Sequence, residues 1–211
     1  MNPIVSGILA VVIGYLLGCF STGLIAGKYF AKMDIRTKGS GNAGATNMLR
    51  TLGWVPSLVT VAGDILKAVL ACWIGSMLLG RTGAYLAGVA SVIGHDWPVF
   101  FGFKGGKGVA SSFGVLIMTC PIVAVSVLVL EIGIIAITKM VSVASIAAAV
   151  LNVIMSAFIL KGEPVSLVCS VLLSFLLVYC HRSNVSRLIK GKENKLDFKK
   201  INKLKKDGKN A

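Results

Sequence analysis

Long apolar stretches alternate with short basic, glycine-rich segments along the whole chain. The apolar stretches cover residues 4–27, 53–80, 82–101, 109–160 and 165–180. A helix that crosses a bilayer needs about 20 consecutive apolar residues, and apolar runs of this length exceed what a soluble core requires. The pattern therefore predicts an all-α polytopic integral membrane protein.

The basic segments constrain how many times the chain crosses the membrane. They lie at residues 28–52, 102–108 and 181–211, and Lys and Arg are enriched in cytoplasmic loops. An even number of crossings must therefore separate the second segment from the third. The 72-residue stretch 109–180 between them allows two very long helices or four short ones, since a helix rises about 1.5 Å per residue.

Breaks within that stretch favour four short helices. Pro121, Lys139 and residues 161–164 interrupt it, and four crossings also put Lys139 on the cytoplasmic side. The chain is thus expected to have seven transmembrane helices, with the N-terminus outside and the C-terminus inside. Five transmembrane helices are the alternative.

Composition agrees with a membrane protein of one domain. Hydrophobic residues make up 55% of the chain and charged residues 14%, whereas soluble domains carry about 25% charged residues. The five cysteines are scattered through the apolar runs and lack the spacing of a zinc site or a disulfide framework. We expect residues 1–211 to form a single transmembrane domain whose end, 194–211, is a basic cytoplasmic tail.

The net charge of +14 bears on the partners of the protein. A strongly basic chain can indicate nucleic-acid binding. In a membrane protein, however, Lys and Arg first mark the cytoplasmic loops and attract anionic lipids or substrates. The expected partners are therefore the lipid bilayer and anionic small molecules, with no nucleic acid.

The first polar motif, residues 39–50, has the composition of an anion-binding loop. Gly39, Gly41 and Gly44 match the G-x-G-x-x-G pattern of dinucleotide-binding proteins, but the required preceding strand is missing because an apolar helix comes before them. Glycines still allow backbone N–H groups to approach an anion closely. Candidate polar contacts are the side chains of Ser40, Asn42, Thr46, Asn47 and Arg50.

The second motif, residues 104–108, places two lysines among three glycines just before a predicted helix start. This arrangement suits a phosphate group. It is not a Walker A loop, because Lys107 is followed by Gly108 where that motif has Ser or Thr. Magnesium binding is therefore weakly supported, and a flexible basic loop is the alternative.

The third motif begins at the end of the last apolar stretch. His181 and Asn184 are three residues apart, so they would share one face of a helix. His181 and His95 are the only histidines in the chain, and neither has the cysteine or carboxylate neighbours of a metal site. If all basic segments are cytoplasmic, the three motifs lie at the same membrane face and can form one site.

Several polar residues within or beside the apolar stretches have structural interpretations. Asp64 and Lys67 are three residues apart, which favours a paired contact on one helix face, with an ion or proton pathway as the alternative. Glu131 and Asn152 suggest contacts between helices. His95 can stabilise the turn before Pro98.

Taken together, the motifs resemble those of the bacterial membrane acyl-phosphate:glycerol-3-phosphate acyltransferases, the PlsY family. The resemblance extends over nearly the whole chain in length, span pattern and motif order. It implies an enzyme of phospholipid biosynthesis that transfers a fatty acyl group from acyl phosphate to position 1 of glycerol 3-phosphate. The products would be lysophosphatidic acid and phosphate. The resemblance also implies a multi-pass protein of the bacterial plasma membrane whose active site faces the cytoplasm.

The resemblance assigns roles to individual residues. The essential serine and arginine of the first motif correspond to Ser40 and Arg50, and the histidine and asparagine of the third to His181 and Asn184. Its glutamate, thought to be structural, corresponds to Glu193. The expected catalytic set is Ser40, Arg50, Lys107, His181 and Asn184. The expected substrate-binding set is Asn42, Thr46, Asn47, Lys104, Gly105, Gly106 and Gly108.

The chemistry of such a reaction agrees with the residue types. Acyl phosphate is already activated, so no cofactor, ATP, coenzyme A or metal is expected. We expect direct attack of a glycerol hydroxyl on the acyl carbonyl, with cations stabilising the developing charge. The proton would go to His181 or to a phosphate oxygen, and Ser40 as a covalent nucleophile is disfavoured because no adjacent base is evident. The rival class is a transporter of organic phosphates.

Overall fold

The computed structural model describes residues 2–199, 201 and 202. Within these residues the chain is largely α-helical, with two short 3-10 turns, Ile35–Thr37 and Val99–Phe101, and residues 198, 199, 201 and 202 are helical as well. The helices are α1 (Pro3–Gly18), α2 (Thr22–Ala31), α3 (Ala45–Leu52), α4 (Trp54–Asp96), α5 (Val109–Thr119), α6 (Pro121–Thr138), α7 (Val141–Ile159), α8 (Pro164–Cys180) and α9 (Arg182–Ile189).

Helix α4 is a hairpin with two antiparallel arms. Its backbone leaves the helical conformation at Leu79 and Gly80, where Gly80 has a φ of 56°, a conformation that glycine adopts without strain. The arms, residues 54–78 and 81–96, pack so closely that a methyl group added at Gly83 would overlap the Gly75 carbonyl. These arms correspond to the second and third helices predicted from the sequence.

Small residues also pack α1 against the hairpin. A methyl group added at Gly14 or Gly18 would overlap the backbone at Ala87 or Ser91, both on the second arm of α4. Residues spaced by four lie on the same helix face, so two glycines allow the two backbones to approach along their length. Close approach of this kind is a common way for helices to associate within a bilayer.

Proline residues and left-handed residues separate the later helices. Pro121 and Pro164 occupy the first positions of α6 and α8, where the missing N–H costs no hydrogen bond. Lys139 ends α6 with a φ of 60°. The helix boundaries predicted at Pro121, Lys139 and 161–164 are therefore confirmed, and no helix between residues 109 and 180 exceeds 19 residues.

The described helices are those of a multi-pass membrane protein. Four stretches are long and apolar enough to cross a membrane: Pro3–Ala31, Trp54–Phe101, Pro121–Thr138 and Val141–Ile159. Helices α8 and α9, bent by 56°, provide a fifth if they count as one broken span. The outer surface is rich in large apolar side chains, including Ile137 and Phe158 at 84% and 78% exposed, as expected for contact with lipid tails.

The C-terminal segment packs onto the helices as far as it is described. Leu196 and Ile201 are buried in a cluster with Leu49, and the Leu196 N–H donates to the Lys139 carbonyl at 2.8 Å. Phe198 stacks on Trp54. Residues 194–199 thus follow the end of α3 and the α6–α7 junction, while residues 200 and 203–211 of the predicted tail lie outside the described residues.

We expect Gly83→Ala to destabilise the protein by about 1–3 kcal/mol, because an extra methyl group in a filled contact forces the backbones apart. Thermal unfolding in detergent should show a lower Tm than the wild type. The matched control is Gly133→Ala, since the space around Gly133 on α6 is open. An unchanged Tm for Gly83→Ala would contradict close packing of the two arms.

Candidate active site

The three polar motifs meet at a cavity of about 310 Å³. Its wall contains all five residues expected to be catalytic: Ser40, Arg50, Lys107, His181 and Asn184. Asn42, Thr46, Asn47, Gly108 and Glu193 also contribute to the wall. Lys104, Gly105 and Gly106 are near the cavity but are not part of its wall.

Asn47 organises the first motif. Its side chain is 1% exposed, and its Oδ1 accepts a hydrogen bond from the Ser40 N–H at 2.8 Å. Its Nδ2 lies 2.9–3.1 Å from the carbonyl oxygens of Ile35, Lys38 and Asn42. Because the loop backbone occupies both ends of this amide, Asn47 shapes the loop that carries Ser40.

Asn42 connects the first motif to the second. Its Oδ1 accepts from the Gly44 N–H at 2.9 Å, closing a turn just before α3. Its Nδ2 donates to the Gly105 carbonyl at 3.4 Å. Asn42 therefore fixes the position of the first loop relative to the second. Thr46 lies in the first turn of α3 and forms part of the cavity wall.

Arg50 brings a partly desolvated cation to the cavity from the last turn of α3. Its Nη2 donates to the Asn194 carbonyl at 3.0 Å, whereas its Nε is buried and has no partner among the described residues. Burial lowers the pKa of the guanidinium, partly opposed by Glu193. A guanidinium with a free buried N–H is well suited to bind a phosphate oxygen.

The second motif binds to the end of the α4 hairpin. The N–H groups of Gly105 and Gly106 donate to the carbonyl oxygens of Asp96 and His95 at 3.1 and 3.0 Å. Neither of these N–H groups is therefore left free to bind an anion directly. A side chain at Gly106 would instead overlap the His95 ring, so close packing on the hairpin requires glycine there.

Lys107, Asn184 and Glu193 form a hydrogen-bonded chain across the cavity wall. Lys107 Nζ donates to Asn184 Oδ1, and Asn184 Nδ2 donates to Glu193 Oε1 at 2.7 Å. A carboxylate can only accept and an ammonium can only donate. The two charged ends therefore determine which way the Asn184 amide points.

Glu193 also accepts hydrogen bonds from two further side chains. Ser142 Oγ, at the start of α7, donates to Oε1 at 2.9 Å, and Arg187 Nε, on α9, donates to Oε2 at 2.9 Å. Burial would raise the pKa of the carboxyl, but hydrogen bonds from Asn184, Ser142 and Arg187 lower it overall. Glu193 is thus an ionised acceptor that holds three donors in place, consistent with the expected structural role.

His181 is buried and its tautomer is defined by a backbone contact. Its Nδ1 lies 2.8 Å from the Leu177 carbonyl, which can only accept, so Nδ1 carries the proton. In the neutral ring the lone pair is then on Nε2. This is the arrangement that a general base, or an acceptor for a substrate hydroxyl, requires.

Sequence reasoning missed several residues of the cavity wall. Arg187 is three residues beyond Asn184 on the same face of α9, a spacing that could have indicated it. Glu131, an isolated carboxyl in an apolar helix, carried a signal of its own. Asp64 and His95 were expected to make structural contacts, and only the packing of the α4 arms brings them to the cavity.

These features together are those of an integral membrane enzyme: a bundle of apolar helices surrounds a cavity whose wall brings Arg50, Lys107 and Arg187 together near the ionised Glu193. Residues 8–191 match the sequence model of the family described as glycerol-3-phosphate acyltransferase. The chain belongs to this family, whose members are enzymes of phospholipid synthesis. Family membership favours the enzyme over the organic-phosphate transporter.

Individual relatives agree over nearly their full length. The chain is 44% identical over 192 residues to the glycerol-3-phosphate acyltransferase of Thermoanaerobacter pseudethanolicus, covering 91% of this chain and 96% of that protein. It is 40% identical over 203 residues to that of Clostridioides difficile, covering 93% and 98%.

Two solved structures share the fold. They are crystal structures of PlsY (YgiH), an integral membrane glycerol 3-phosphate acyltransferase, in a glycerol 3-phosphate form and a lysophosphatidic acid form. Their TM-scores are 0.86 and 0.83 at 35% and 34% identity, and both comparisons cover 93% of this chain and 98% of the other.

Deprotonation of Lys107 should produce an alkaline limb in the pH profile of kcat/KM. Burial lowers its pKa to about 8, so the ammonium is present below that pH and is lost above it. If the cation is needed, kcat/KM falls as pH rises through about 8, since kcat/KM reports ionisations of the free enzyme. In Lys107→Arg the limb should disappear, because arginine stays protonated.

Steady-state kinetics between pH 6 and about 10 test this assignment, with Lys161→Arg, an exposed lysine remote from the cavity, as the control that keeps the limb. A limb at about 8 that persists in an active Lys107→Arg enzyme would assign it to another group.

Proposed function

We propose that the protein transfers a fatty acyl group from acyl phosphate to position 1 of glycerol 3-phosphate. One observation carries the proposal: the guanidinium groups of Arg50 and Arg187 and the ammonium of Lys107 converge on one cavity. Guanidinium and ammonium groups bind phosphate oxygens through charge-assisted hydrogen bonds, and both substrates of this reaction carry a phosphate group. The relatives' shared name and the glycerol 3-phosphate form of PlsY support glycerol 3-phosphate as acceptor.

The cations have a catalytic use as well as a binding use. As acyl transfer proceeds, negative charge develops on the carbonyl oxygen and on the departing phosphate. Fixed cations in a partly buried cavity stabilise such charge more strongly than water does. Asn184 supports this by holding Lys107 in place through the hydrogen bond to Glu193.

Direct transfer agrees with the surroundings of Ser40 and His181. No described basic side chain forms a hydrogen bond with Ser40 Oγ, so its activation as a nucleophile lacks support. Nε2 of His181 can instead accept the proton of the attacking hydroxyl, or orient that hydroxyl while a phosphate oxygen takes the proton. The lysophosphatidic acid form of PlsY agrees with the product expected for either route.

We further propose seven transmembrane spans, with the N-terminus outside and the cavity facing the cytoplasm. Three loops meet at one end of the bundle: Arg81 binds Glu163 at 2.8 Å and the Thr119 carbonyl at 3.3 Å. At the other end, Lys139 contacts Leu196 and Arg36 binds the Phe101 carbonyl. Seven crossings require successive loops to alternate between the two ends of the bundle, as these contacts do. Helix α5, with 11 residues, is counted as a short crossing.

The acyl donor is the first test. Purified protein in detergent, incubated with labelled glycerol 3-phosphate and palmitoyl phosphate, should yield labelled lysophosphatidic acid and one equivalent of phosphate. Palmitoyl-coenzyme A at the same concentration should give little product, because the cavity wall is adapted to a small phosphate leaving group. A matched control is Lys107→Met, which keeps the length of the side chain and removes the charge. Preferential use of the thioester would refute the proposed donor.

The span count is tested by thiol labelling of protoplasts with an impermeant reagent. In a chain whose native cysteines are replaced by alanine, Lys161→Cys should react in intact cells, whereas Lys139→Cys and Lys190→Cys should react only after lysis. Lys139 discriminates the alternatives, since a five-span chain would turn there on the outside. Labelling of Lys139→Cys in intact cells would therefore favour five spans.

A further inference from the structure

Two charged residues and a histidine form a buried triad between the arms of α4. Lys67 Nζ lies 2.9 Å from Asp64 Oδ1 and 2.8 Å from His95 Nδ1, and it donates to the Phe20 carbonyl at 2.8 Å. None of the three residues is more than 7% exposed. The triad therefore holds its members in one arrangement, shielded from solvent.

This triad determines which nitrogen of His95 carries the proton. An ammonium group has three donors and no acceptor, so its 2.8 Å contact requires a lone pair on Nδ1. Asp64 Oδ1 lies 3.3 Å from Nδ1 and could accept a proton carried by Nδ1. That proton would point at the Lys67 ammonium, which lies closer, at 2.8 Å, and is itself a donor. His95 is accordingly a neutral ring with its proton on Nε2.

Nε2 of His95 lies at the second motif. A methyl group at Gly106 would overlap it, and His95 is part of the cavity wall. Within the described part of the chain, Nε2 has no hydrogen-bond partner, although the residue is only 5% exposed. A molecule bound in the cavity can supply an acceptor for this donor.

We propose that His95 Nε2–H donates a hydrogen bond to the acyl carbonyl oxygen of the donor substrate. The inference rests on the proposed acyl transfer and adds a catalytic residue to it. Phosphate groups already have cationic partners in Arg50, Lys107 and Arg187. A neutral donor suits an oxygen that is uncharged in the substrate and becomes negative only as the reaction proceeds.

The reaction step is balanced without a further reactant. The hydroxyl oxygen of glycerol 3-phosphate forms a bond to the acyl carbon, and the C=O electron pair moves onto the oxygen beside His95. When that pair returns, the C–O bond to phosphate breaks and phosphate leaves with the bonding electrons. The hydroxyl proton goes to His181 Nε2 or to the departing phosphate. Lys67 and Asp64 act as positioning residues, because they hold His95 in the Nε2–H tautomer.

The tautomer can be measured in the unmodified protein. The chain has two histidines, so nitrogen NMR of ¹⁵N-histidine-labelled protein in detergent should give two pairs of ring-nitrogen signals, assigned with His181→Gln. His95 should carry its proton on Nε2 and His181 on Nδ1, opposite tautomers in one molecule. A His95 ring protonated on Nδ1 at neutral pH would overturn the proposal before any kinetics.

Two amide variants separate the donor from the packing role. In His95→Gln the amide nitrogen can reach the position of Nε2 and retain the donor. In His95→Asn the amide oxygen can replace Nδ1 and keep the bond to Lys67, but nothing replaces Nε2–H. We expect kcat to fall about 10²–10³-fold in His95→Asn, with KM for both substrates near the wild-type value, and to fall much less in His95→Gln.

The opposite ranking, or a loss confined to the KM of one substrate, would show that His95 packs the loop or binds phosphate, and would overturn the proposal. Equal losses in both variants would also contradict it. Size-exclusion profiles and calorimetric binding of glycerol 3-phosphate establish that each variant is folded. Wild-type protein without activity on acyl phosphate would instead refute the proposed function, while the NMR result would stand separately.

Discussion

The ionised carboxyl of Glu193 is the constraint on which the geometry of the site depends. It accepts hydrogen bonds from three side chains on two helices: Ser142 on α7, and Asn184 and Arg187 on α9. Its side chain is 3% exposed, and a buried carboxylate is stable only with donors of this kind. The same contacts orient Asn184 toward Lys107, so loss of Glu193 would release the cation from its position.

The residues that follow Glu193 make further contacts that fix the geometry of the site. The next residue, Asn194, accepts from Arg50 through its carbonyl, and Leu196 pairs with the backbone at Lys139. The C-terminal segment therefore connects α3, the α6–α7 junction and α9. It brings together two cations, Arg50 and Lys107, that would otherwise repel each other.

The other wall depends on close packing of small residues. Gly75 and Gly83 let the arms of α4 meet, and this contact sets Asp64 and Lys67 of one arm against His95 of the other. Glycine at position 106 then lets the second motif lie on the His95 ring. The cationic part of the cavity wall is thus held by Glu193, while the part that contains Asp64 and His95 depends on close packing of the backbone.

The sequence by itself determined the long apolar helices, the breaks at Pro121, Lys139 and 161–164, and the three polar motifs, whereas the break between α1 and α2 and the short helices α3 and α9 were not predicted. The predicted features follow from local properties: the length of an apolar run, the missing N–H of Pro121 and Pro164, and the basic loops. The sequence also predicted that the expected catalytic residues come together, because the positions of the basic segments favour one membrane face for all three motifs.

Only the tertiary structure decided which of those polar groups face the cavity. The N–H groups of Gly105 and Gly106 are occupied by the hairpin, and Asn47 is used by its own loop. Arg187, Asp64 and His95 enter the site through contacts between helices. Hydrogen bonds such as the one from Arg50 to Asn194, 144 residues apart, depend on how closely backbones can approach, and no local pattern in the sequence contains that distance.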